Sequence, residues 1–386
     1  MDRSLASVAG LALRTTRIVS GLFLLFFVTS HLLNLSLGVI SIEAMDAARP
    51  YLSTIWSRQP LASLLLLSLL VHFLLGLWAI YRRPTLRTNA QDVVQLLSGV
   101  AVIPLLAVHA VGVATLKIDG IPFGYAQAIK FFWLGAPQIG LLQVIMLSVV
   151  WVHGCAGLFT WLRAKEGMRN ALAWIYPLAV AVPVIALMGY AEAGRGVLIA
   201  AQAPPVETPQ YAAPAEKPAE APSTPAKERI PYEVVKQITN QVIWWSLGLA
   251  ALTFMARAIR LALQTSQKVI LTRGSAPPLH TTSGLSLLDS FRAHQHPHAS
   301  LCEGRGRCGT CAVRITLSEF PLPAPTALEA KTLLRIGADD TVRLACQLVP
   351  SGGAVTVEPL HPADYSFKDD DFAEELAAVD ASEVRT

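Results

Sequence analysis

The 386-residue chain is 53% hydrophobic and only 15% charged, with a formal net charge of +4. A soluble globular protein carries about 25% charged residues, so this composition excludes a chain lying wholly in water. The small charge excess gives no footing for nucleic acid. Long uncharged runs fill the part before residue 265, and the remainder has the mixed composition of a soluble domain.

A helix needs about 20 apolar residues to cross the hydrocarbon core. Six segments qualify, at 18–40, 60–81, 92–116, 137–162, 171–191 and 236–258. The first is too long in its apolar run for a cleaved signal peptide, and more spans follow it. Arg3, Arg14 and Arg17 precede span one. Arg82, Arg83 and Arg87 follow span two, Arg163, Lys165 and Arg169 follow span four, and Arg257 and Arg260 follow span six. The opposite loops hold only Arg49, Arg58, Lys117 and Lys130, so the positive-inside rule puts both termini in the cytoplasm. The expected order is a five-helix membrane domain over 1–192, a Pro/Ala-rich outer linker over 193–230, a sixth span within 231–264, a soluble domain over 265–361 and an acidic connector over 362–386. The fold class expected is an all-α six-helix membrane bundle plus a small α+β unit.

His31, His72, His109 and His153 stand one in each of the first four spans. Ionisable groups in lipid are costly and mark function, although a lone membrane histidine can also serve as a helix–helix hydrogen bond. Four in consecutive spans point to metal, and neutral imidazole is a ligand for haem iron held between helices. Depth sets the pairing. At 1.5 Å per residue, His31 and His109 lie toward the outer side, while His72 and His153 lie about 15 Å from the inner boundary. Two b haems are therefore expected, the outer on His31 and His109 and the inner on His72 and His153. Ser30, Gly76, Gly112, Gly154 and Gly157 offer room for a macrocycle, or mark ordinary small-residue packing. Cys155 reads as a buried structural thiol.

Ser20-Gly21-Leu22, the run Ser30-His31-Leu32-Leu33-Asn34, and His153-Gly154 followed by Gly157 resemble the cytochrome b subunits of the succinate dehydrogenase and fumarate reductase family. The resemblance covers roughly 15–190, and the sixth helix with its linker departs from that family's five.

After residue 265, strands are expected at 268–272, 312–317 and 354–358 and helices at 285–294 and 326–336, an α+β, β-grasp-like arrangement. Cys302-x5-Cys308-x2-Cys311 is followed after 34 residues by Cys346. Three thiolates on one loop and a distant fourth match the plant-type 2Fe–2S pattern, and the extra residue between the first two resembles the adrenodoxin-like branch. Zinc is the competing ligand, but structural zinc usually takes two C-x2-C knuckles. Gly304, Gly306 and Gly309 let backbone amides close on cluster sulfurs. Arg305 and Arg307 either offset the cluster's negative charge or are plain solvated surface. A Rieske-type centre would recruit two of His280, His294, His296 and His298, yet four cysteines suffice, so these read as surface residues.

Three functional classes remain: a redox input module for an output domain, a quinol-linked oxidoreductase delivering electrons to a soluble acceptor, and a passive haem-binding anchor. An anchor needs no cluster. No dinucleotide or P-loop fingerprint occurs, and no catalytic residue is assigned. Asp369-Asp370-Asp371 and Glu374-Glu375 open a tail that reads as a connector. The six spans, the linker, the segment Cys302–Cys311 and Arg343-Leu344-Ala345-Cys346-Gln347 look like the N-terminal region of alphaproteobacterial membrane class III adenylate cyclases. That resemblance implies the bacterial inner membrane, a homodimer, and a following cyclase domain converting ATP to cAMP. Membrane lipid, and a quinone in the oxidoreductase reading, complete the expected partners.

Overall fold

The computed structural model describes residues 3–86, 90–121, 123–162, 169–202, 229–263, 267–274 and 276–365. Among the described residues, six helices are long and apolar enough to span a membrane. They are α1 (Arg3–Ser36), α3 (Leu61–Arg82), α4 (Ala90–Ile118), α6 (Pro137–Leu162), α7 (Arg169–Gln202) and α8 (Tyr232–Leu263), with short helices α2 (Ile42–Leu52) and α5 (Tyr125–Lys130) between them. Their outward faces carry bare apolar side chains such as Phe26, Leu66 and Leu141. Lipid tolerates such a surface and water does not. Helix α1 packs on α3 and α7, and α4 packs on α6 and α8. At one end, Arg257 Nε donates to the Arg83 carbonyl at 2.9 Å and Arg260 Nη2 donates to that of Tyr81 at 2.8 Å, so two arginines of α8 close the C-terminal end of α3. This arginine-rich end faces the soluble domain.

The second unit is a five-stranded mixed sheet in the order β2-β1-β5-β3-β4, made of β1 (Lys268–Arg273), β2 (Leu279–Thr282), β3 (Ala312–Ser318), β4 (Val342–Leu344) and β5 (Gly353–Pro359). β1 runs parallel to β5 and the other pairs are antiparallel. Alternation drives the sheet: Val269 and Leu271 point inward while Lys268 and Ile270 stay exposed. Helix α9 (Leu287–Ala293), capped by Ser286 Oγ accepting from Asp289 N, buries Leu287, Leu288 and Phe291 in the core. Helix α10 (Ala327–Arg335) is capped by Thr326 in the same way. The chain is thus a membrane helical bundle joined to a small α+β domain.

Three expectations change. Helix α7 runs to Gln202, so the linker expected from 193 begins as helix, with Arg195 paired to Glu192 one turn away. Residues 203–228 of that linker and 366–386 of the expected connector lie outside the described residues. Helix α1 starts at Arg3, well before the apolar run, because nothing in Arg3–Arg17 breaks a helix. Strands β2 and β4 went unrecognised, being four and three residues long and too short to show a period.

One buried ion pair ties α10 to β4. Glu329 is 0% exposed and accepts from Arg343 Nε at 2.8 Å, from Arg343 Nη2 at 2.9 Å and from Leu344 N at 3.0 Å, while Arg343 Nη1 donates to the Pro323 carbonyl. Removing one partner leaves an uncompensated buried charge. Arg343→Ala is therefore expected to destabilise the soluble domain by about 3–5 kcal/mol in denaturant unfolding. A loss below about 1 kcal/mol, the worth of a surface pair, would show that the pair does not hold β4 in place.

Candidate functional site

Cys302, Cys308 and Cys311 lie on the loop between α9 and β3, and Cys346 follows β4 at its far end. The structure brings the four together as two pairs. Cys311 Sγ and Cys346 Sγ are 3.3 Å apart, and the Cys308 thiol donates to Cys302. Amides converge on the sulfurs as well: Cys302 N donates to Cys308 Sγ at 3.4 Å and Arg307 N to Cys302 Sγ at 3.5 Å. Thr310 Oγ1 lies 3.0 Å from Cys308 Sγ, and Gln347 Nε2 donates to Cys346 Sγ at 3.5 Å. The loop bends back through Gly306 and Gly309 at φ +64 and +84, a backbone region open to glycine, and a Cβ at Gly306 would meet Gln347 Cδ at 2.9 Å.

The Cys308 thiol and neighbouring amides hold the Cys302 thiol well below the usual range, against its burial. Cys308 and Cys311, hydrogen-bonded to Cys302 and Cys346 and buried, are pushed up. Among the described residues, no three His, Cys, Asp or Glu side chains converge on one metal position. A single zinc would draw all four sulfurs to within about 4 Å of one another. Two separate sulfur pairs, each with its own amide donors, fit two irons instead.

In the bundle, His31 and His109 meet with ring centroids 6.1 Å apart, and His72 and His153 meet at 6.2 Å. These are the pairs that depth alone selects. Two imidazoles on opposite sides of one metal, each with its nitrogen at about 2.0 Å, hold their centroids about 6 Å apart. Each ring makes its hydrogen bonds through Nδ1. His72 Nδ1 donates to the Arg17 carbonyl at 3.0 Å, and His153 Nδ1 donates to that of Gln95 at 3.2 Å. His109 Nδ1 is 2.9 Å from Gln143 Oε1, and His31 Nδ1 is 3.3 Å from Ser53 Oγ, which itself donates to Asn34 Oδ1. A carbonyl can only accept, so Nδ1 carries the proton in the inner pair and Nε2 keeps a lone pair for a metal.

The glycines that matter most are not those expected. A Cβ on Gly21 would sit 2.7 Å from His72 Cε1, and one on Gly99 would sit 2.8 Å from His153 Cε1. Of the two readings of the flanking glycines, Gly154 and Gly157 follow ordinary small-residue packing, against Leu25 and Gln95, whereas Gly76 and Gly112 face open space. Ser30 is spent on Trp56 Nε1. The missed signal is a repeat. Ser20-Gly21-x9-His31 on α1 recurs as Ser98-Gly99-x9-His109 on α4, and His72-x3-Gly76 on α3 recurs as His153-x3-Gly157 on α6. Ser20 Oγ lies 3.3 Å from His72 Nδ1, and Ser98 Oγ lies 3.2 Å from His153 Nδ1, so the repeated serines do the same work. Each histidine lies ten positions past its glycine, which stacks the two pairs about 15 Å apart along the bundle. Cys155 is half-buried and packs beside Leu32 and Trp151. His280 and His294 are exposed as expected, but His298 is half-buried on the Phe291 ring at 4.9 Å, and burial lowers its pKa to about 4.

Residues 278–351 match the family model of the 2Fe-2S iron-sulfur cluster binding domain. No solved structure matches the chain. The α+β unit is accordingly a ferredoxin-type domain with a 2Fe–2S cluster as its cofactor. Cys346 is the only cysteine of the domain outside the loop. Cys346→Ser should abolish the visible 2Fe–2S absorption in anaerobically prepared protein; a native spectrum from that variant would remove Cys346 from the ligand set.

Proposed function

We propose that the chain is a transmembrane electron-transfer module that holds two b haems, the outer on His31 and His109 and the inner on His72 and His153. Its 2Fe–2S cluster is held by Cys302, Cys308, Cys311 and Cys346. The haem half is carried by one observation: two histidine pairs with centroid separations of 6.1 and 6.2 Å, each ring tied through Nδ1. The cluster half is supported by the family match. Bound haem supplies an iron that changes oxidation state by one electron. The protein's part is to fix tautomer and ring plane through the Arg17 and Gln95 carbonyls, to raise imidazole basicity through those bonds, and to admit the rings against Gly21 and Gly99.

The arginine-rich end of the bundle supports a cytoplasmic ferredoxin domain, on the side of the inner pair. Control of a cyclase domain outside these residues, converting ATP to cAMP in a homodimer, rests on the resemblance carried by Cys302–Cys311 and Arg343–Gln347.

A pyridine haemochrome assay should give two b haems per chain, and one or none would overturn the reading. His72→Ala should remove one haem and spare the other, and Gly99→Val should act likewise by displacing His153. In the full-length protein, His72→Ala should also alter conversion of ATP to cAMP; unchanged output would end the cyclase part alone.

A further inference from the structure

The cluster loop does not stand free in solvent. Arg305, midway between Cys302 and Cys308, places Nη1 on the Cys302 carbonyl at 3.0 Å and Nη2 on Asp92 Oδ1 of α4 at 3.2 Å. Its own carbonyl accepts from Arg14 Nη1 of α1 at 3.3 Å. Asp92 is 6% exposed and also pairs with Arg83 at 3.3 Å. Arg305 is thus neither plain surface nor a charge serving only the cluster.

The two anchor points are equivalent positions of the membrane repeat. Arg14 lies seven residues before Gly21, and Asp92 lies seven before Gly99. Arg14 is one turn below Arg17, whose carbonyl holds His72, and Asp92 is one turn below Gln95, whose carbonyl holds His153. The loop that carries three of the four cysteines therefore sits astride α1 and α4, directly beneath the supports of the inner histidine pair.

The geometry points to a built-in docking surface: Arg14 and Asp92 receive Arg305 and set the cluster loop against the inner histidine pair. Arg305 and Asp92 are positioning residues in this arrangement: their side chains bind each other and the Cys302 carbonyl, and only the Arg305 backbone amide reaches the Cys302 sulfur. The docking itself stands on the observed contacts, while its role in electron exchange rests on the haem reading above. Two hydrogen bonds across the domains, one of them an ion pair, make a small contact that single substitutions can undo.

The test is peptide-resolved hydrogen exchange on the full chain in detergent. Asp92→Asn keeps the shape of the side chain and removes its charge, so the bundle should stay folded, and Asp92→Ala is the stronger variant. Both should speed exchange at residues 303–307 by roughly tenfold, although the altered residue lies in a different domain. Arg305→Ala should do the same, and the double variant with Asp92→Asn should add nothing further, since both act through one contact. Unchanged exchange in Asp92→Asn with an intact 2Fe–2S spectrum would overturn the docking.

A second readout addresses position rather than fold. With cluster and haem spectra retained, Arg305→Ala should slow electron exchange between the two centres at least tenfold, and an unaltered rate would refute the positioning role. A native haem content below two per chain would count against the haem reading alone and leave the exchange comparison intact.

Discussion

A hydrogen bond from imidazole Nδ1 to a neighbouring helix is the constraint on which the membrane half depends. In lipid no water is at hand to satisfy a ring nitrogen, and an unpaired one costs several kcal/mol. The Arg17 and Gln95 carbonyls meet that demand for His72 and His153. A carbonyl acceptor leaves one tautomer, and with it one nitrogen and one ring plane for the proposed haem iron. The bond forms only if the helices approach closely, which explains glycine at 21 and 99 and serine beside each. Helix α1 lies on α3, and α4 on α6, because those glycines let an imidazole reach backbone.

The soluble half solves a related problem with different means. Thiolates need donors, and the loop supplies amides, the Thr310 hydroxyl and the Gln347 amide. The fourth cysteine comes from a strand end far along the chain, so its place depends on how β4 is held. The buried Glu329–Arg343 pair does this, two residues ahead of the Ala345-Cys346 turn. Between the halves, arginines from α1, from the ends of α3 and α8, and from the cluster loop gather at one face. An anionic cluster and buried Asp92 are their natural counterweights. Arg14, one of the arginines counted by the positive-inside expectation, also receives the ferredoxin domain, through the Arg305 carbonyl.

Much of this was legible in the residues because the physics is periodic or sparse. Apolar runs of membrane length marked the spans to within a few residues at α3 and α6, where arginine or proline stops the run sharply. Four histidines among few ionisable groups, with depth counted from arginines, were enough to choose the pairs. What stayed hidden was relational. Nothing about Gly21 alone distinguishes it from Gly76, and only the position of the His72 ring does. The acceptors Ser53 and Gln143 lie on other elements and carry no local signature. Arg305 resembled any loop arginine, because its partner stands over two hundred residues away. The Ser-Gly-x9-His repeat was readable in principle, but it is masked by the apolar background in which it sits.

Ring orientation offers the most direct test of the haem assignment. The His72 and His153 planes cross at 86° and those of His31 and His109 at 65°. Crossed imidazole planes on a low-spin ferric haem would leave the two dπ orbitals of its iron nearly degenerate, which would give a strongly anisotropic electron paramagnetic resonance signal. The measurement is a low-temperature spectrum of the oxidised purified protein. Two strongly anisotropic low-spin ferric signals, one of them lost in His72→Ala, are the predicted result. A spectrum with no low-spin ferric signal, or with high-spin iron alone, would contradict the account.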